Sequence, residues 1–194
     1  MIEPRQLWLL AGGNGAGKST FYRTRLAPLG MSFVNADILA RALFPDAPEM
    51  HSYDAALLAG KLRLKLLQEG CSFCFETVFS HPSKIDFVAQ AKTLSYEIVL
   101  VFIHLEVDSL NQARVAQRVI EGGHDVPAGK VIKRIPRLLR YIKKVLPLCD
   151  HIRILDNSRA DDPFRQVALI RAGQLEQRQE LLPGWAETLL ENYL

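Results

Sequence analysis

Cysteine is scarce and odd in number, with three residues in a chain of 194. Such a set gives no disulfide framework, and a reducing cytoplasm is the setting that suits it. Cys71 and Cys74 form a C-x-x-C, but they lie in the strand-like run CSFCFE, where alternate residues face opposite sides. Buried packing is therefore expected of them, and not redox or metal chemistry. No apolar run approaches the roughly 18 residues of a membrane span, and the apolar stretch within MIEPRQLWLLAGG is too short for a signal-peptide core. His81, His104 and His151 lack metal-ligand spacing, so no zinc site is expected. There is no internal repeat and no low-complexity linker. A net charge of +3 gives little general attraction to nucleic acid unless the cations cluster.

The cations do cluster. Arg114, Arg118, Lys130, Lys133, Arg134, Arg137, Arg140, Lys143 and Lys144 fall in one segment against only Glu121 and Asp125, which calls for a local anionic partner. The chain is long enough for one substantial core, and a single domain over 1–194 is expected. Apolar runs at Leu7 to Ala11, Met31 to Val34, Cys71 to Phe75, Ile98 to Leu105 and Ile152 to Leu155 read as buried strands. Between them lie helix-like stretches, clearest from Tyr53 to Gln68, where Ala56, Leu57, Gly60, Leu64 and Leu67 recur at roughly helical spacing. This alternation predicts an α/β fold with a mostly parallel central sheet of about five strands flanked by helices. Residues 109–144 depart from it: two helices joined by Glu121 to Pro127, with Pro136 expected to kink or break the second. A basic helical hairpin between strands is what a helical lid would look like.

Gly12-Gly13-Asn14-Gly15-Ala16-Gly17-Lys18-Ser19 satisfies G-x-x-x-x-G-K-[ST] at every fixed position, with Thr20 following. It comes after a strand and before a helix-compatible run, so its backbone N–H groups can converge on phosphate oxygens. Lys18, expected to face solvent or phosphate and not the core, can reach β- and γ-phosphates of ATP, and the Ser19 hydroxyl can ligate Mg²⁺. A dinucleotide fingerprint would need glycine where Lys18 stands, so that reading fails.

Two acids follow strand-like runs that feed the same crevice, Asp37 after MSFVNA and Glu76 after CSFCF. Asp37 is the preferred base for an acceptor hydroxyl, the alternative being an N-cap for Ile38 to Leu43. Glu76 reads as a contact to substrate hydroxyls or to a metal-bound water. Arg114 and Arg118 share one helix face, and Arg134 and Arg137 the next; Arg118 and Arg134 are the candidates for stabilising transferring charge. His124, beside paired glycines, is a candidate substrate contact.

Together, GGNGAGKSTF, VNAD ending at Asp37, FETVFSHPSK, RVAQRVIEGGHDVP and ILDNS resemble the zeta-toxin-like kinase family, in order over roughly residues 7–158. The resemblance implies a P-loop kinase core that phosphorylates a nucleotide sugar such as UDP-N-acetylglucosamine. It implies Lys18 and Ser19 for ATP and Mg²⁺, Asp37 as general base, Glu76 as substrate contact, and Arg118 and Arg134 as lid arginines. Little chain precedes Gly12, so the amino-terminal elements through which some family toxins meet an antitoxin have few residues here, and an inhibitor protein is not readable from the sequence. No membrane partner is expected. Two other readings stay open: a polynucleotide 5′-kinase, disfavoured by the near-neutral remainder of the chain, and a nucleotide-dependent binding module with weak ATPase activity.

Overall fold

The computed structural model describes the backbone of residues 4–106, 108–120 and 128–194, and the side chains of 4–106, 110–117 and 134–194. The elements in chain order are β1 (Gln6–Gly12), α1 (Lys18–Phe21), β2 (Phe33–Val34), α2 (Ala36–Leu43), α3 (Ser52–Gln68), β3 (Phe73–Thr77), α4 (Ser83–Thr93), β4 (Glu97–His104), α5 (Asp108–Ile120), α6 (Ala128–Val145), β5 (His151–Asp156), β6 (Arg165–Arg171), β7 (Gln174–Arg178) and α7 (Gly184–Leu190). They build one sheet of seven strands in the order β2-β3-β1-β4-β5-β6-β7.

From β2 to β5 the strands are parallel, so their carboxyl ends share one edge. β1 lies between β3 and β4. The chain leaves β1 toward β3 on one side and returns on the other as β4, which opens a crevice at the end of β1, where ligands of such sheets bind. Side chains alternate across β1: Leu7, Leu9 and Ala11 join a core under α3, α4, α6 and α7, whereas Leu10 joins a smaller one with Phe21 and Leu26.

Seven strands replace the five expected. The two missed, β6 and β7, form an antiparallel hairpin on β5. β6 hides only the short run Val167 to Ile170 between arginines, and β7 is an exposed edge strand that needs no apolar period. The apolar face predicted for α3 also shifts. Ala55, Ala59 and Leu67 are buried, while Leu57 and Leu64 face solvent. Cys74 is buried as expected, but Cys71 precedes β3 and is exposed. α6 runs unbroken through Pro136, held by Ile135, Leu138, Ile142 and Val145 in the core. No helix among the described residues is long and apolar enough to cross a membrane.

The hairpin is tied to the parallel sheet through Asp156, the last residue of β5, which is 2% exposed. Its carboxylate accepts hydrogen bonds from the Ser158 backbone N–H and hydroxyl and, at 2.9 Å, from Nη2 of Arg165 on β6. Burial alone would raise its pKa, but the Ser158 hydrogen bonds and the Arg165 charge outweigh burial and hold it below the usual carboxylate value. A depressed native pKa gives stability that is present above the unfolded pKa and lost as pH falls through the native one. Asp156→Asn is expected to lower stability at neutral pH by about 2 kcal/mol and to flatten the acid limb of the stability curve. Denaturant melts from about pH 7 to about pH 3 check this, and a curve parallel to wild type contradicts it.

Candidate functional site

β1 ends where no side chain fits. A Cβ on Gly12 would lie 2.2 Å from the Ile103 carbonyl oxygen of β4. At the other end of the loop Gly17 takes φ 96° at the N-cap of α1, and a Cβ there would meet Asn157 Nδ2 at 2.5 Å. Both glycines let a neighbouring element press on the loop. Asn157, just beyond β5, donates from Nδ2 to the Ala16 carbonyl at 2.9 Å, accepts from the Phe164 N–H at 3.2 Å, and donates its own N–H to His104 O at 2.9 Å. From the other side α5 supplies Asn111, 1% exposed, whose Nδ2 donates to the Asn14 carbonyl at 2.7 Å. The loop therefore has its shape fixed by β4, by the segment after β5 and by α5.

Lys18 opens α1 and is 5% exposed, contrary to the expectation of a solvent-facing side chain. Its Nζ donates to the Gly13 and Gly12 carbonyls at 2.8 and 3.0 Å and lies 3.6 Å from Glu76 Oε1. The aliphatic stem is buried, and the ammonium stays within a ring of oxygens at the mouth of the loop. Glu76, on β3, accepts at Oε2 from the Ser19 hydroxyl at 2.6 Å and from Asn35 Nδ2 at 2.7 Å. Asn35 also accepts from the Ile38 N–H at 3.0 Å, so one side chain caps α2 and braces Glu76. This corrects the alternative role weighed for Asp37. β2 stops at Val34, Asn35 is the cap, and Asp37 stands in the first turn of α2, exposed. Burial, with the Glu76 carboxylate adding to it, pushes the Cys74 thiol far above its ordinary pKa, so no thiolate chemistry arises beneath the site.

These groups line a cleft of about 730 Å³. Asp37, Ser52 and Ala56 line it together with the phosphate loop, Arg114 of α5 and Arg134 of α6. Arg134 Nη1 lies 3.5 Å from Asn14 Oδ1, a weak contact. The structure thus brings Asn14, Gly15, Gly17, Lys18, Ser19, Thr20, Asp37, Glu76 and Arg134 to one cavity. The side chain of Arg118, and His124 altogether, lie outside the described residues. Arg114, Asn111, Asn157 and Phe164 were given no site role from the sequence. Arg114 carried a signal in its i,i+4 spacing to Arg118, and Asn157 in the run ILDNS; Phe164 takes φ +60° and packs edge-to-face on Phe21 at 5.4 Å, which no local pattern announces. The oxygen-rich set of the Ser19 hydroxyl beside Glu76 suits a hard divalent cation such as Mg²⁺.

An open parallel sheet whose first strand runs into a glycine loop, with Lys18 and Ser19 opening the next helix at the strand-switch point, defines a P-loop kinase fold. The chain belongs to the family described as "AAA domain", whose model matches residues 7–137. A protein of Haemophilus influenzae described as uncharacterized is 28% identical over 127 residues, covering 62% of this chain and 90% of its own length. Among solved structures, a chain of the PezAT chromosomal toxin–antitoxin system of Streptococcus pneumoniae superposes with a TM-score of 0.67 at 17% identity, covering 98% of this chain and 79% of its own. A putative kinase of Chloroflexus aurantiacus gives 0.60 at 15% identity, with 83% and 90% covered.

Lys18→Met keeps the stem and removes the charge. It is expected to weaken binding of a nucleoside triphosphate by about tenfold or more, as loss of a charge-assisted phosphate contact does, while the protein stays folded. Equilibrium binding with thermal melts on the same samples decides, and unchanged affinity contradicts the site. Asn157→Ala leaves the Ala16 carbonyl without its donor and frees one side of the loop. A stability loss of about 1–3 kcal/mol together with weaker nucleotide binding is expected, and a stability loss with intact binding would make Asn157 a packing residue only.

Proposed function

We propose that this protein is an ATP- and Mg²⁺-dependent kinase that moves a γ-phosphoryl group onto a hydroxyl of a small molecule, a nucleotide sugar such as UDP-N-acetylglucosamine being the favoured acceptor. The observation that carries this reading is that Lys18 and Ser19 of the phosphate loop, Glu76 of β3 and Asp37 of α2 open onto one cleft. The phosphate loop and Lys18 hold the β- and γ-phosphates. Ser19, with Glu76 beside it, would hold Mg²⁺, which when bound neutralises phosphate charge. Asp37 takes the proton from the acceptor hydroxyl as its oxygen bonds to the γ-phosphorus. The bond between that phosphorus and the β–γ bridging oxygen breaks, and its electron pair leaves on ADP. Arg114, Arg134 and, from its place on α5, Arg118 supply positive charge to the transferring group, with 109–144 acting as the lid and 1–194 as one domain.

The nucleotide-sugar preference rests on the sequence resemblance to zeta-toxin-like kinases. The likeness to a chain of a toxin–antitoxin system supports extending the reading to an inhibitor-protein partner. The site reading needs neither.

Asp37→Asn tests the reading most closely, because the amide keeps size and polarity and Asn35 already caps α2. Phosphoryl transfer into a metabolite extract is expected to fall at least about a hundredfold, as loss of a general base does, with nucleotide affinity unchanged. Transfer near the wild-type rate would remove Asp37 from the chemistry and leave Glu76 as the candidate base.

A further inference from the structure

The apolar period read from the sequence of α3 is the one that the fold leaves outside. Seven of the eleven large apolar side chains exposed among the described residues fall between Ile38 and Leu64, on α2, α3 and the chain between them. On α3, Tyr53, Leu57 and Leu64 are 74%, 51% and 40% exposed. At 3.6 residues per turn they fall, with Gly60, in one stripe about 60° wide, roughly 150° round the helix from the buried Ala55 and Ala59.

Gly60 is a second observation. It lies within a regular helix of 17 residues, where glycine is less stable than alanine. Packing inside the monomer does not call for it, since a Cβ there would meet only Nη2 of Arg63, at 3.8 Å, an ordinary contact distance. A gap in a stripe of large apolar side chains, unused by the chain's own core, suits a side chain approaching from outside.

The stripe also complements itself. If a second α3 runs antiparallel across a two-fold axis level with the midpoint of residues 58 and 59, Leu57 of each copy stands level with Gly60 of the other, and Tyr53 with Leu64. The charged flank matches in the same register. Asp54, Lys61 and Lys65 are exposed and share one side of the stripe, which in an antiparallel pair meets the same side of the other copy. The axis sets Asp54 of each copy between Lys61 and Lys65 of the other, about 3 Å from each along the helix. A flank that carries both signs in this order suits a copy of itself better than an anionic membrane or a partner of one sign.

We propose that α3 is a homodimerisation surface, on which a second copy of this chain packs antiparallel with Leu57 seated over Gly60. The pairing stands apart from the kinase reading. Ser52 and Ala56, which line the cleft, lie on the side of the stripe away from Asp54, so both clefts of the dimer open on one side of the helix pair. With three large side chains per copy at its centre, the interface falls near the low end of specific sizes, and a dissociation constant of about 1–100 μM is expected.

Sedimentation velocity of the full chain across that concentration range tests the assembly, with thermal melts on the same samples. Wild type is expected to pass from monomer to dimer. Leu57→Asp puts charge in the stripe and Gly60→Leu fills the gap; each is expected to weaken association about tenfold or more with the monomer still folded. Leu94→Asp, an exposed leucine at the end of α4, is expected to change it less than about twofold. Asp54→Lys is expected to weaken association about threefold or more, and its combination with Lys61→Asp and Lys65→Asp in one chain to restore it, because both members of each pair across the axis are then reversed. Wild type that stays monomeric throughout, a dimer that survives Leu57→Asp or Gly60→Leu, or a charge reversal without rescue overturns the proposal. Should Leu57→Asp fail to fold, Leu64→Asp and Gly60→Leu carry the comparison.

Discussion

The contact that matters most is between two backbones. With the Ile103 carbonyl 2.2 Å from where a Gly12 Cβ would be, the chain can turn off the end of β1 only as glycine. That turn directs Gly13 to Gly17 across the crevice between β3 and β4 and delivers Lys18 and Ser19 to face Glu76. Asn111 and Asn157 then hold the loop from either side through its own carbonyls. What results is a glycine loop braced through its own carbonyls between a strand and a helix N-terminus, the setting that makes such loops anion sites.

Charge in the cleft follows from the same geometry. Glu76 is shared among a cation, a hydroxyl and an amide, so its charge is spoken for within the protein. Asp37, in the first turn of α2, is exposed and lines the same cleft. Arg114 and Arg134 face the cavity with no carboxylate partner among the described residues. The cleft therefore presents more cationic than anionic charge to a ligand, in keeping with a polyphosphate.

Much of this was legible in the sequence because it depends on residue type at fixed spacing. The loop from Gly12 to Ser19, its strand and helix context, the carboxylates Asp37 and Glu76, and both helices of the basic segment could be read directly. The sheet was under-counted because β7 is an edge strand and β6 a four-residue apolar run, neither of which carries a period. The buried face of α3 is only partly readable, because small residues, Ala55 and Ala59, are buried along with Leu67 while Leu57 and Leu64 stay outside. The burial of Lys18 is not readable from sequence, because it depends on the loop folding so that the Gly12 and Gly13 carbonyls meet its Nζ. How Asn111 and Asn157 brace the loop is not readable for a similar reason: their partners are backbone carbonyls 97 and 141 residues away in the chain, which no local pattern encodes.

The central claim is that the cleft transfers a phosphoryl group and does not merely bind a nucleotide. The measurement that meets it most directly follows the fate of the γ-phosphoryl of isotopically labelled ATP with purified protein, Mg²⁺ and a metabolite extract resolved by mass. The account predicts that the label appears on a small anionic molecule heavier by one phosphate, in proportion to ADP formed. Label recovered only as free phosphate would contradict it and point to a nucleotide-dependent binding module, and label on oligonucleotide ends would point to a polynucleotide kinase.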